Sequence, residues 1–359
     1  METLNGLNAV SLFAGVGGFE LALKGAGIEV AASVEIDEKA RGVLARHFPE
    51  TPLFSDVCEV TGNQLKDAGF RPDRGIIAGG FPCQDLSIAG KRAGLGGPHS
   101  KLFWEFERLV GETQPRWLVI ENVPGLLSSN RGRDMGAVLG ALVNRGYGVS
   151  WRVLDAQFFG VPQRRRRVVI VGHLGDDGEA SSKVLSLEES LRGHPQPGDP
   201  KRAFLAASDG EGASGDNLAA ALTAKLAKHS TGPSGYEVGN LVLVKSRRAQ
   251  SQSDFEAWAP SEVAPALNGF DNTSDQRATI LASGVRRFTP RECERLQGFP
   301  DDWTAERFHF QKQQLVRQLD SSRYRQMGNA IAVPVFEWVF RNIVDWENAL
   351  WPKSSSPEI

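Results

Sequence analysis

Two periodicities share the first half of the chain. Short, mostly apolar runs occupy 7–13, 30–34, 75–78 and 117–120, each bounded by glycine, proline or polar residues. Such runs are strands buried on both faces. Between them the spacing becomes helical. Phe19, Ala22, Leu23 and Ala26 fall at 0, 3, 4 and 7 on one face, while Met135, Val138, Leu139, Leu142 and Val143 share another that Gly146 terminates. The runs at 52–56, 149–154 and 168–171 predict three further strands. Alternating strand and helix is the pattern of an α/β sheet with helices on both faces.

The pattern changes after Val171. From 172 to 217 the chain is rich in Gly, Ser, Asp and Pro, with one helical candidate at 184–191 and a nearly featureless stretch at 208–215. Short β-like runs such as Leu241-Val242-Leu243-Val244 follow, among them Lys245, Arg247 and Arg248. Helical spacing returns with Cys293 and Leu296, stops at Gly298-Phe299-Pro300, and resumes after Pro334 with Val335, Val339 and Ile343. The last helix is expected to pack back onto the first sheet, which makes the irregular second domain an insertion. The divisions are 1–172, 173–285, a hinge segment 286–322, and a returning segment 323–359.

Composition narrows the class. The 359 residues are 41% hydrophobic and 23% charged, the balance of a soluble globular protein. No apolar run approaches the roughly 20 residues of a membrane span. Cys58, Cys83 and Cys293 lack metal-type spacing and leave one unpaired in any disulfide scheme, which suits a reducing cytoplasm. A net charge of −2 excludes wholesale electrostatic binding of nucleic acid, so such binding must use local basic patches.

The candidate chemistry lies at strand ends. Ala14-Gly15-Val16-Gly17-Gly18 turns between the first strand and helix, and Glu35 ends the next strand 20 residues after Gly15, where a ribose-binding acid belongs. Glu20 stands where a dinucleotide fingerprint needs its third glycine, so an adenosyl ligand without a pyrophosphate is favoured. Asp56 ends the third strand; its alternative role is a helix cap for 57–67. Gly79-Gly80-Phe81-Pro82-Cys83-Gln84 presents a thiol as the fourth strand gives way to a glycine-rich loop, and Glu121 ends the fifth. Alone, Cys83 reads as a buried structural thiol. In an open parallel sheet all these strand ends share one crevice, and that company makes Cys83 catalytic.

On these residues the chain resembles the DNA (cytosine-5)-methyltransferases. The segments are Ser11 through Gly18, Glu35-Ile36-Asp37, Gly80-Phe81-Pro82-Cys83-Gln84, Glu121-Asn122-Val123, Gln163-Arg164-Arg165-Arg166-Arg167, Arg287 through Gly298, and Gln326-Met327-Gly328-Asn329-Ala330, in the family's order. The resemblance implies a Rossmann-like S-adenosylmethionine-dependent sheet with an inserted, smaller, irregular β-rich target-recognition domain at 173–285. It implies a cofactor site of Phe13, Ala14, Gly15, Val16, Gly17, Gly18, Glu35, Ile36, Asp56, Val57, Pro82, Leu102, Asn329 and Ala330. It implies a reaction centre of Cys83, Glu121, Gln163, Arg165 and Arg167, and no metal. Double-stranded DNA is the implied partner of a monomeric, cytoplasmic, nucleoid-associated enzyme of bacterial or phage origin, with a cognate restriction endonuclease acting separately. The family's Thr-Leu pair is not plain here: Ala221-Leu222-Thr223 and Ala266-Leu267-Asn268 both compete for it.

The chemistry asks for these side chains. A thiolate adding to C6 of cytosine turns C5 into a nucleophile, dividing one hard step into easier ones. Glu121 would serve N3 and the N4 amine. Four consecutive arginines ordinarily form a solvated basic run. On an extended backbone, however, Gln163, Arg165 and Arg167 share one face, turned inward toward O2, and Arg164 and Arg166 the other. A flipped base also needs phosphate contacts, for which Lys91, Arg92, Lys101, Arg247, Arg248, Arg286 and Arg287 are candidates. Three rival readings are an RNA methyltransferase, a non-catalytic protein of this fold, and a dinucleotide oxidoreductase. The long insert disfavours the first, Cys83 with Glu121 the second, and Glu20 the third.

Overall fold

The structure is a computed structural model that describes residues 6–81, 101–187, 242–247, 257–260, 279–282, 284–286 and 288–350. Pro82, Cys83, the loop 87–100, Arg248, Arg287, the stretch 208–215 and both candidate Thr-Leu positions lie outside those residues.

Seven strands form the central sheet: β1 (Asn8–Leu12), β2 (Glu29–Val34), β3 (Leu53–Phe54), β4 (Gly75–Gly79), β5 (Trp117–Asn122), β6 (Tyr147–Asp155) and β7 (Arg166–Leu174), in the order β3-β2-β1-β4-β5-β7-β6. β1 to β5 are mutually parallel. The strand order turns back at β1 and β4, the switch point where open α/β sheets take ligands. β7 runs antiparallel to both β5 and β6. The parallel sheet expected from the alternation therefore has one reversed strand. Its N-terminus lies beside the C-terminus of β5, with Asn122 opposite Val168. This reversal brings the Gln163–Arg167 run to the same edge as Glu121.

Consecutive strand residues feed opposite faces. Ile76, Ala78, Trp117 and Val119 pack with helices α1 (Gly18–Gly25) and α2 (Glu38–His47). Ile77, Leu118 and Ile120 pack with α3 (Gly62–Asp67), α4 (Lys101–Thr113) and α5 (Arg133–Asn144). α5 carries Met135, Val138 and Leu142 inward, but Val143 is 57% exposed, because the next turn rotates it off the buried stripe. The helix allowed for 57–67 starts only at Gly62. Thr61 caps it and exchanges bonds with Gln64, whereas Asp56 holds a local turn by accepting from the Cys58 N–H at 2.9 Å.

The first layer runs past the composition shift at 172. β7 continues to Leu174, and α6 (Glu179–Val184) packs Ala180 and Val184 into the core. Asp176 starts this helix by accepting from the Gly178 and Ala180 N–H groups, and the candidate at 184–191 lies for the most part outside the described residues. Strands β8 (Val242–Arg247), β9 (Ala257–Pro260), β10 (Thr279–Ala282) and β11 (Gly284–Arg286) form a separate antiparallel sheet ordered β11-β10-β8-β9.

After it come α7 (Pro290–Leu296), the hairpin β12 (Glu306–His309) and β13 (Gln314–Arg317), α8 (Asp320–Asn329) and α9 (Val333–Leu350). α9 returns to the first layer: Phe336 meets Phe19 edge-on at 4.9 Å, and Val339, Phe340 and Ile343 are buried. Within the segment 286–322, Phe288, Cys293, Leu296, Phe299 and Trp303 belong to the same core.

Candidate active site

β1 delivers the chain into a turn of unusual backbone. Phe13 has φ +56, rare for a residue with a side chain, and Gly15 and Gly17 follow at +58 and +93. A Cβ on Gly15 would meet nothing within 4 Å among the described residues, which leave open space over it. At Gly18 a Cβ would come within 2.6 Å of Ile331, and there the glycine is needed for room. Ala14, Val16, Gly17 and Gly18 are buried.

Glu35, at the end of β2, closes on this turn. Its carboxylate accepts from the N–H groups of Gly15 and Asp37, each at 2.7 Å. Burial pushes its pKa up, and those two N–H groups oppose the rise by favouring the charged form. Ile36 stands open beside it, 71% exposed. Asp37 caps α2 by accepting from Lys39 and Ala40. Asp56 and the buried Val57 lie at the end of β3, Leu102 packs against the core on the α4 face, and Asn329 is exposed at the last residue of α8. Under the turn, Glu20 is fully buried and accepts from the Ser33 hydroxyl at 2.7 Å. Burial holds this carboxyl up at about 7.

The other half of the edge carries the charges. Glu121 forms an ion pair with Arg167, Nε to Oε1 at 2.7 Å, each side chain 13% exposed. The second carboxylate oxygen faces Gly80, where a Cβ would lie 2.9 Å from it. A side chain at position 80 would therefore displace the Glu121 carboxylate. Asn122 donates to the Phe81 carbonyl at 3.3 Å, tying β5 to the backbone just beyond β4. Gln163 and Arg165 are buried while Arg164 and Arg166 are exposed. Both amide atoms of Gln163 are enclosed without a partner among the described residues. Arg165 donates to the Ala330 carbonyl at 2.6 Å, and Gln297 donates to the Met327 carbonyl at 3.0 Å. Burial, with the neighbouring Arg167 cation, lowers the pKa of Arg165, and Glu121 opposes this.

The structure therefore joins Gly15 to Glu35, Glu121 to Arg167, and Arg165 to Ala330. Asp56 and Leu102 remain at the ends of their own elements. Sequence reasoning assigned nothing to Asn122, Gln297 or Trp303, whose partners are distant in the chain. The one signal for them was their place inside or beside motif segments.

This fold recurs in solved methyltransferases. The Dnmt2 methyltransferase of S. pombe superposes with a TM-score of 0.60 at 17% identity, covering 94% of this chain and 98% of that one. The Entamoeba histolytica methyltransferase EhMeth gives 0.58 at 14%, covering 94% and 98%. Residues 7–345 match the model of the C-5 cytosine-specific DNA methylases, and the chain belongs to that family. Among curated relatives, Type II methyltransferase M2.BsuMI of Bacillus subtilis (strain 168) is 31% identical over 97% of this chain and 81% of its own. Type II methyltransferase M.HhaI of Haemophilus parahaemolyticus is 28% identical over 95% of each. The protein is a DNA (cytosine-5)-methyltransferase.

Proposed function

We propose that the enzyme methylates C5 of a cytosine flipped out of double-stranded DNA, with S-adenosylmethionine as donor and Cys83 as nucleophile. The observation that carries this reading is the enclosed Glu121–Arg167 pair, set against Gly80 three residues before Cys83. The glycine turn fits an adenosyl ligand on three grounds: space over Gly15, a half-buried carboxylate in Glu35, and an uncovered apolar side chain in Ile36. Glu35 would accept from ribose hydroxyls, Asp56 and Val57 would hold the adenine with Ile36 against its face, and Phe13, Leu102, Asn329 and Ala330 would line the rest with Pro82. When bound, S-adenosylmethionine supplies a sulfonium methyl group that C5 can attack.

The protein's own groups prepare C5 for that attack. The Cys83 thiolate adds to C6, and the ring electrons move toward N3 and C5. Glu121 supplies a proton at N3 as that charge develops, within the roughly 10²–10⁴-fold range of positioned acids. For this, Arg167 must turn from Glu121 to O2 of the incoming base, which leaves the carboxyl to N3. Arg165, anchored on Ala330, and the enclosed amide of Gln163 hold the far side of the ring. Once C5 carries the methyl group, N3 returns its proton to Glu121, a solvent base takes the C5 proton, and elimination of the Cys83 thiolate restores the pyrimidine. Extrusion of the base costs a few kcal/mol.

The insert 173–285 is read as the target-recognition domain, its start moved beyond Leu187 because α6 belongs to the first layer. The Type II relatives support a place in restriction–modification beside a separately acting endonuclease. Methyl transfer to matched DNA and RNA duplexes, mapped by bisulfite sequencing, tests the substrate. One cytosine context in DNA should be modified and the RNA left untouched; preference for RNA would overturn the reading. Cys83→Ser should abolish transfer and leave cofactor affinity within about twofold, and substantial residual turnover would remove the covalent step.

A further inference from the structure

Val16 lies in the middle of the glycine turn, and its carbonyl is held from the far end of the chain. The Trp303 indole N–H donates to it at 2.7 Å across 287 residues of sequence, in a buried contact. The indole face stacks on the His47 imidazole, centroids 3.6 Å apart and planes within 3° of parallel. His47 Nε2 sits 2.8 Å from the Trp303 carbonyl. A carbonyl only accepts, so this nitrogen carries the hydrogen. Phe48 and Phe299 pack on the same indole at 6.0 and 5.7 Å.

Trp303 is itself fixed from behind. The N–H of Thr304 donates to the fully buried Glu294 carboxylate at 2.9 Å. Arg323 donates to the same carboxylate at 3.0 Å and to the Thr304 hydroxyl at 3.1 Å. The turn is therefore gripped on two sides at adjacent residues: Glu35 takes the Gly15 N–H, and Trp303 takes the Val16 carbonyl.

The second grip matters because a glycine comes next in the chain. Gly17, at φ +93, tolerates backbone conformations closed to other residues. The φ of Gly17 leaves the peptide between Val16 and Gly17 free of a side-chain restraint, so its orientation is set by two bonds: the Gly17 N–H donates to the Ala14 carbonyl at 3.1 Å, and the Val16 carbonyl accepts from the indole. A carbonyl buried without a donor is costly, and rotation toward water would relieve it. We propose that Trp303 is a positioning residue for the cofactor turn, its indole N–H selecting the peptide orientation in which the turn receives the adenosyl ligand. This rests on the cofactor site proposed above. A turn that is only fractionally in its receiving shape binds with an affinity lowered by that fraction.

The test compares Trp303→Phe, which keeps a ring but loses the N–H, with Glu35→Ala and the native enzyme. S-adenosylhomocysteine is titrated calorimetrically, well below the melting temperature of each. For Trp303→Phe the dissociation constant and the KM for S-adenosylmethionine should both rise about 5- to 20-fold. Its kcat at saturating donor and its DNA affinity should stay within about twofold. Cofactor affinity within twofold of native, while Glu35→Ala loses tenfold or more, would overturn the role of Trp303 alone. Unchanged affinity in both variants would overturn the cofactor site and this proposal with it. Parallel loss of cofactor and DNA binding, tracking the folded fraction by circular dichroism, would reduce Trp303 to a core residue. Should Trp303→Phe not fold, His47→Gln reads the same contact. It removes the stack and should weaken cofactor binding about two- to fivefold, and no change would overturn the proposal.

Discussion

Glu121 and Arg167 stand 2.7 Å apart in a nearly closed setting, where removing one charge strands the other. Glu121→Gln keeps the shape and removes both the charge and the transferable proton. Single-turnover methyl transfer should fall about 10²- to 10⁴-fold, with cofactor affinity unchanged; a loss below tenfold would remove the proton-transfer role. Glu20 makes a different prediction. Its folded pKa, about 7, lies above its unfolded value of 4.5 because burial favours the neutral acid. The native state therefore holds more protons than the unfolded chain between those values. Its contribution is fully present below pH 4.5 and is lost as pH rises through 7. Glu20→Gln should flatten that decline, gaining on the native protein by about 1.4 kcal/mol per pH unit at most across the window. Urea unfolding at several pH values measures it, and parallel stability curves would contradict it. Spacing alone exposed Glu35, and alternation exposed the inward set Gln163, Arg165 and Arg167. Glu20 was legible only as an irregular glycine position, since its bond to Ser33 exists only once α1 packs against β2.

At the scale of elements, the reversed strand β7 accounts for the placement of the arginines. Strand positions were plain from apolar runs, but direction is not written in them, so the route by which Arg167 reaches Glu121 had to come from pairing. The same limit hid the hairpin Glu306–Arg317 and the helix Asp320–Asn329, both too polar for a periodic apolar signal. These elements are held by polar contacts. Glu294 is fully enclosed and takes bonds from Thr304 and Arg323, and Arg323 also reaches Asp302 at 3.3 Å. Arg323→Met should cost about 3–5 kcal/mol, the usual result of leaving a buried carboxylate without its cation. Chemical denaturation checks this, and a loss under about 1 kcal/mol would mean that solvent or neighbouring donors compensate.

The C-terminal edge of the seven-stranded sheet collects parts from distant sequence: the turn after β1, the ends of β2 to β5, the run entering β7, and the end of α8. The return of α9 onto α1 lets a separate β sheet stand between β7 and α7 in the chain without breaking the core. The return of α9 to the first layer was readable from the recovery of helical spacing after Pro334. The border itself was not, because α6 is short and polar outside Ala180 and Val184. The central claim is that sulfur of Cys83 bonds to an extruded cytosine within this edge. Duplex DNA carrying 5-fluorocytosine in the methylated context, incubated with enzyme and S-adenosylmethionine, tests it directly, because fluorine at C5 blocks the elimination that releases the thiolate. An adduct that survives denaturation and maps by mass spectrometry to Cys83 is the predicted result. Methylated product with no adduct, or an adduct at another residue, would contradict the account.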